Sequence, residues 1–194
     1  MPLDASRNSL VLPILGLLGE RPAHAYDLAT RLRERYAHLT ATRSTVTTLL
    51  KSLHRDGLVE AREPGRVGNR PPRTEYELTE PGRAGFRTRV ETGLRDTPVA
   101  SVDFALAVAH LGSLPAEQAA ALLTARAERL AGERAALPAG AGDMTEVHSL
   151  EHGYWHGLVT AELAWIAALV ERIRTAELAW PTGSPAADPV PAAA

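Results

Sequence analysis

The stretch TRSTVTTLLKSLHRDGLVE, residues 42–60, places Val46, Leu49, Leu50 and Leu53 at i, i+3, i+4 and i+7 and then reaches Gly57. That spacing sets four apolar side chains on one face of an α-helix, and a glycine just past the last periodic residue marks where such a helix stops. The opposite face carries Arg43, Ser44, Thr47, Thr48 and Lys51, all hydrogen-bond donors and none acidic. An ordinary solvated face mixes in acids. A helix fits the DNA major groove, where Arg can hold guanine at two points and Thr offers a hydroxyl plus a methyl for thymine. Lys51, farther along, suits phosphate better than a base. The expected role of this face is DNA binding.

Working outward, SLVLPILGLLGE (9–20) repeats the helical spacing with Leu10, Val11, Ile14, Leu15 and Leu18, with Ser9 placed to cap it, Pro13 in its first turn and Gly19 past its end. PAHAYDLATRLRERY (22–36) is expected to be a second helix, with Ala25, Leu28, Ala29 and Leu32 inward. Downstream of Gly57, LVEARE reads as a short strand and RTEYELTE alternates as another, with Tyr76 and Leu78 on one face. Between them REPGRVGNRPPR (62–73) carries Arg62, Arg66, Arg70 and Arg73 among glycines and prolines. A basic hairpin tip of that kind suits phosphate or minor-groove contact, with glycines allowing close approach and prolines restricting the loop. Three helices followed by a basic hairpin is the order of a winged helix-turn-helix. Thr79 is placed to cap a fourth helix, EPGRAGFRTRVETGLRD, with Pro81 in its first turn.

The second half reads as helical throughout. Residues 101–112 form a short apolar helix, Pro115 opens another reaching about Leu137, and Asp143 with Glu146 suits the start of a last helix running to about Ala179. The apolar residues of that last helix, among them Tyr154, Trp155, Leu158, Val159, Trp165, Ile166 and Leu169, cover more than half its circumference. A helix with two apolar faces has two things to pack on, here its own domain and a second copy of the chain; an aromatic effector pocket at Trp155 and Trp165 is the sharper alternative. Gly153 and Gly157 suit a close helix crossing. His148, His152 and His156 lie at i, i+4 and i+8, and adjacent pairs at that spacing can chelate a divalent metal. No second segment supplies further ligands, so interface or polar-edge histidines, or a protonation-sensitive contact, stand beside that reading.

The formal net charge of −2 conceals an asymmetry: residues 1–95 carry 16 Lys+Arg against 11 Asp+Glu, and residues 96–194 carry 5 against 12. The first half suits a polyanion and the second does something else. With no cysteine, disulfides, thiolate metal sites and cysteine nucleophiles are excluded. No G-x-S-x-G, P-loop or paired-carboxylate setting supports an enzyme, and no cofactor is expected. No apolar run is long enough to span a membrane and no secretory start is seen, so the chain is expected to be cytoplasmic. The expected organisation is a winged-helix domain over 1–95, a helical domain over 96–180 and a Pro/Ala-rich disordered tail over 181–194.

Taken together, ILGLLGERPAHAYDLATRLRERY (14–36), TVTTLLKSLHRDGLVEARE (45–63) and NRPPRTEYELTEPGR (69–83) resemble the winged-helix domain of PadR-type transcriptional regulators. The family's run before a Tyr-x-Leu-Thr-x-x-Gly strand end falls on Arg70, Pro71, Pro72, Arg73, Tyr76, Leu78, Thr79 and Gly82. The helical remainder is similar to the longer C-terminal dimerisation domain of one branch, through Leu114-Pro115, Glu162 and Trp165. Thr47 and Thr48 stand where the family commonly has Tyr-Pro, and His24-Ala25-Tyr26 where it has His-Gly-Tyr. The resemblance implies a homodimeric repressor that releases its operator when a small, often aromatic, molecule binds. A palindrome-reading dimer needs its recognition helices about 34 Å apart, and a long two-faced helix is a suitable spacer. The alternatives are a winged-helix protein-interaction module that never touches DNA, and a metal-responsive regulator using the three histidines.

Overall fold

The computed structural model describes residues 8–62, 74–136 and 146–181. The chain folds as two compact units, Met1–Val90 and Glu91–Ala194. Unit 1 contains α1 (Val11–Glu20), β1 (Ala23–His24), α2 (Ala25–Arg35), α3 (Arg43–Arg55), β2 (Val59–Arg62), β3 (Glu75–Leu78) and most of α4 (Glu80–Asp96). Its core is the set that helical spacing selects: Ile14, Leu15, Leu28, Leu32, Val46, Leu49, Leu50 and Leu53 are all fully enclosed. From Val11 to Leu18 every residue of α1 is buried, because a helix that is apolar all round is covered on all sides.

The ends of α1 differ from expectation. Asn8, not Ser9, supplies the capping oxygen, accepting the Leu10 N–H at 2.9 Å. Gly19 lies inside the helix, which continues to Glu20 and stops because Arg21, preceding Pro22, is forced into extended backbone. The second helix, α2, begins at Ala25 and not at Pro22. Ala23 and His24 instead pair with Tyr76 and Glu75, adding a third antiparallel strand in the order β1-β3-β2. A two-residue strand has no periodicity to read.

The main helix is closed at both ends as its residue types require. Thr42 accepts the Thr45 N–H at the start of α3. At its end Gly57, with φ of 71°, donates to His54 O while Leu58 donates to Leu53 O, the paired 5→2 and 6→1 bonds that a left-handed glycine permits. The chain then enters β2, where Val59 faces Leu78 across the hairpin and both are buried. Thr79 joins three segments: its hydroxyl donates to Gly57 O at 2.7 Å and accepts the Gly82 N–H that opens α4. Gly82 is packed so closely that a Cβ there would stand 2.0 Å from Leu58 O.

Unit 2 contains the last turn and a half of α4, α5 (Val102–Ala109), a 3₁₀ turn (Leu111–Ser113), α6 (Ala116–Ala136) and α7 (Glu146–Arg174). The short apolar helix expected to reach residue 112 ends at Ala109 and tightens into that 3₁₀ turn. Leu106, Leu114, Leu123, Leu130, Val159 and Ile166 form the core. α7 ends five residues before the expected Ala179. Ala176 adopts φ of 54°, so that its N–H reaches Ile173 O and the Glu177 N–H reaches Arg172 O. Alanine in a left-handed cap gives no sequence signal of a helix stop. Asp143, and the tail beyond Pro181, lie outside the described residues. Among the described residues no helix is long and apolar enough to cross a membrane.

Candidate nucleic-acid interface

The polar face of α3 is solvent-facing. Arg43, Ser44, Thr48 and Lys51 are exposed and Thr47 is half-buried, while the leucines opposite are enclosed. Both threonine hydroxyls are committed locally: Thr47 Oγ1 donates to Arg43 O at 2.8 Å and Thr48 Oγ1 to Ser44 O at 3.0 Å. Each oxygen can still accept a bond, and each side chain is pinned by its own helix. Beside this face opens a cleft of about 540 Å³, lined by Arg43, Thr47 and Lys51 from α3, His24, Ala25 and Tyr26 at the β1–α2 junction, and Thr74 and Tyr76 of the hairpin. Among the described residues its lining contains two fixed cations and no carboxylate.

The local fold explains how these groups meet. β1 brings His24 onto β3, where its ring Nδ1 lies 3.1 Å from Thr74 O. The next residue but one, Tyr26, is 57% exposed on the first turn of α2. Tyr26, Tyr76 and His24 are the site residues that periodicity alone passed over. An aromatic at a helix start, off the apolar stripe of Leu28, Ala29 and Leu32, is the signal that could have marked Tyr26.

The expected wing residues divide. Arg66, Arg70 and Arg73 lie outside the described residues. Arg62 sits at the end of β2 and is paired with Glu77, with Glu75 at 3.9 Å. The hydrogen bond and charge of Glu77 raise its pKa further. Any phosphate contact by Arg62 must therefore compete with that pair, while among the described residues Arg43 and Lys51 have no carboxylate in the cleft to leave.

In unit 2, α7 divides as its two apolar faces require. Val159, Ile166 and Val170 are buried, and Leu158 and Leu169 are half-buried. Tyr154 (65%), Trp165 (45%) and Trp155 (40%) are exposed together with Val147 and Leu150. Trp165 meets Phe104 edge-on with centroids 6.0 Å apart, and Trp155 lines a second cleft with Val159. His156 is exposed, His152 is half-buried with Nδ1 lacking a partner among the described residues, and the side chain of His148 lies outside them. Among the described residues no group of three or more His, Cys, Asp or Glu is placed to hold a metal ion.

The residue that sequence reading missed in this unit is Arg126. Its side chain is fully enclosed, over the Phe104 ring at 3.9 Å and paired with Glu162 at 2.6 Å. Burial lowers its pKa while Glu162 raises it; a guanidinium so paired keeps its charge. An arginine in the apolar stripe Ala119, Leu123, Leu130 is the signal that would have found it.

Residues 14–88 match the transcriptional regulator PadR-like family. Among solved structures, PadR of Bacillus subtilis in complex with operator DNA is 19% identical, covers 86% of this chain and 99% of its own, and has a TM-score of 0.42. The same protein in complex with p-coumaric acid gives 19% identity, the same coverage and a TM-score of 0.37. A PadR-like transcription factor from Bacteroides fragilis is 32% identical over 41% of this chain and 74% of its own, with a TM-score of 0.37. No curated protein matches the chain. Residues 14–88 are the ones that build the winged helix, and through them the chain belongs to the PadR-like family of transcriptional regulators.

Proposed function

We propose that the protein is a ligand-responsive repressor that binds a palindromic operator as a homodimer. Residues 1–95 grip duplex DNA, with the Arg43, Ser44, Thr47 and Thr48 face of α3 in the major groove, Lys51 on phosphate, and the wing arginines on the backbone or minor groove. Residues 96–180 dimerise through the exposed apolar face of α7 and respond to a small effector. The observation that carries the reading is a cleft at Arg43, Thr47 and Lys51, free of carboxylates among the described residues, beside an exposed donor face. In a chain of net charge −2, a surface holding cations and donors without a carboxylate is what a polyanion needs.

The dimer is supported by Val147, Leu150, Tyr154 and Trp165, large apolar side chains exposed along one helix. Release follows if an effector binds better to a dimer whose recognition helices are misplaced, by no more than its differential affinity for that state. The test is DNA binding measured by fluorescence anisotropy across a salt series. The reading expects log affinity to fall linearly with log salt concentration, by about one unit of slope per phosphate neutralised. A flat, weak response points to a protein-interaction module and removes DNA from the account.

A further inference from the structure

The second cleft lies wholly within unit 2 and encloses about 410 Å³, inside the ~300–1,000 Å³ range of small-molecule sites. Trp155 and Val159 of α7 form one apolar wall, and Pro98 and Val99, just beyond α4, form another. The polar rim is Asp96, Arg129 and Glu133.

The hydrogen bonds of that rim decide which charge it can accept. Arg129 is committed: its Nε and Nη2 donate to Arg95 O, Nη2 also to Thr97 O at 2.9 Å, and Nη1 to Glu133 at 2.5 Å. Those carbonyls are at the C-terminal end of α4, where a cation satisfies orphaned acceptors and the helix dipole together. An anionic ligand would have to draw the guanidinium off them. The carboxylates are in the opposite position. Among the described residues Glu133 accepts only from Arg129, through Oε1, and Asp96 accepts only the two N–H groups of Arg95. A carboxylate has about four acceptor sites, so both keep capacity for a donor. Counted with Arg95, which pairs with Asp96, the rim is formally neutral, but its guanidiniums are committed while its carboxylates keep acceptor sites, and it stands beside an indole, the best aromatic partner for a cation.

We propose that this cleft binds a small organic cation with an aromatic or apolar body. The ammonium group lies at Asp96 and Glu133, and the body lies against Trp155, Val99 and Val159. This names a chemical class for the effector and in that respect rests on the ligand-responsive reading; the binding site itself does not depend on it.

The experiment is calorimetric titration of the full-length protein at fixed ionic strength with benzylammonium, whose N–H groups can donate to both carboxylates, and in parallel with benzoate. Glu133→Gln and Trp155→Leu are titrated alongside, since both side chains are substantially exposed and their folding is checked by circular dichroism. The expected result is saturable binding of the cation, benzoate at least about tenfold weaker, and a loss of about threefold or more in each variant. No cation binding, benzoate binding as tightly, or cation affinity unchanged in both variants overturns the proposal. Addition of the same cation to the DNA complex separates the two claims. Release of DNA upholds both, whereas saturable binding that leaves DNA affinity unaltered upholds the cleft and sinks the ligand-responsive reading.

Discussion

Arg126 Nε donates to Glu162 Oε1 at 2.7 Å inside unit 2, with the arginine side chain fully enclosed and Glu162 Oε2 accepting the Ala100 N–H at 2.8 Å. The remaining guanidinium nitrogens donate to Thr97 O and Pro98 O. One buried ion pair therefore ties α6, α7 and the connection from α4 to α5. That connection needs holding, because Ala100 sits at φ of 56°, where a β-carbon is strained. Removing one partner strands a buried charge. Arg126→Met or Glu162→Gln is expected to destabilise unit 2 by about 3–5 kcal/mol, and Arg126→Met with Glu162→Gln by less than the sum. Urea unfolding of the three variants checks this; strict additivity contradicts it.

Gly82 and Gly153 make opposite predictions. A Cβ at Gly82 meets the backbone oxygen of Leu58, which cannot yield as a side chain can. Gly82→Ala is expected to cost about 3 kcal/mol, comparable to severe overpacking. Gly153 and Gly157 lie on the exposed stretch of α7 with open space around them. Within one chain, alanine at either position is expected to stabilise the helix by about 0.5–1 kcal/mol. If the two glycines admit a second copy of α7, the double alanine variant also weakens the dimer. Sedimentation equilibrium measures it, and an unchanged dimer constant removes them from the interface.

The α7 terminus offers a stabilising change. Ala176 takes the left-handed position of a two-bond helix cap without being glycine. Ala176→Gly is expected to raise stability by roughly 1 kcal/mol, the penalty that an L side chain carries there. A lower melting temperature would contradict the cap assignment.

Glu20 gives a pH dependence. Burial pushes its carboxyl up, but the hydrogen bonds and charges of Arg35 and Arg31 more than offset this and hold it below the ordinary glutamate range. A folded pKa below the unfolded one contributes stability above the unfolded value, lost as pH falls through the folded one. At neutral pH, Glu20→Gln should therefore cost about 0.5–1 kcal/mol, kept small by solvent screening of a carboxylate that is 43% exposed. The gap should close in acid. A gap that widens below pH 4 or so would contradict the sign.

What the sequence disclosed follows from which forces act locally. Val46, Leu49, Leu50 and Leu53 declare a helix by spacing and Gly57 declares its end, and burial and φ agree. The third strand escaped because Ala23 and His24 become a strand only through pairing with β3, fifty residues away. α7 looked longer than it is because alanines 176 and 179 sustain a helical pattern that the cap at Ala176 overrides. At the site, the donor face of α3 was legible because charge patterning is local. Tyr26 was not assigned, since what makes it a cleft wall is the approach of Thr74 and Tyr76. Arg126 lay in an apolar stripe, and only Glu162 on another helix gives it a reason to be there.

The central claim is that the α3 face reads sequence while its neighbours hold phosphate. Its most direct test is selection of bound duplexes from random DNA by the wild type, followed by affinity for the selected site and a scrambled one with Arg43→Ala and Lys51→Ala. The account predicts that Arg43→Ala costs about 1–3 kcal/mol on the selected site and narrows the preference over scrambled DNA, while Lys51→Ala weakens both alike and lowers the salt slope by about 1. Equal losses on both DNAs for Arg43→Ala, or no sequence enriched at all, would contradict it.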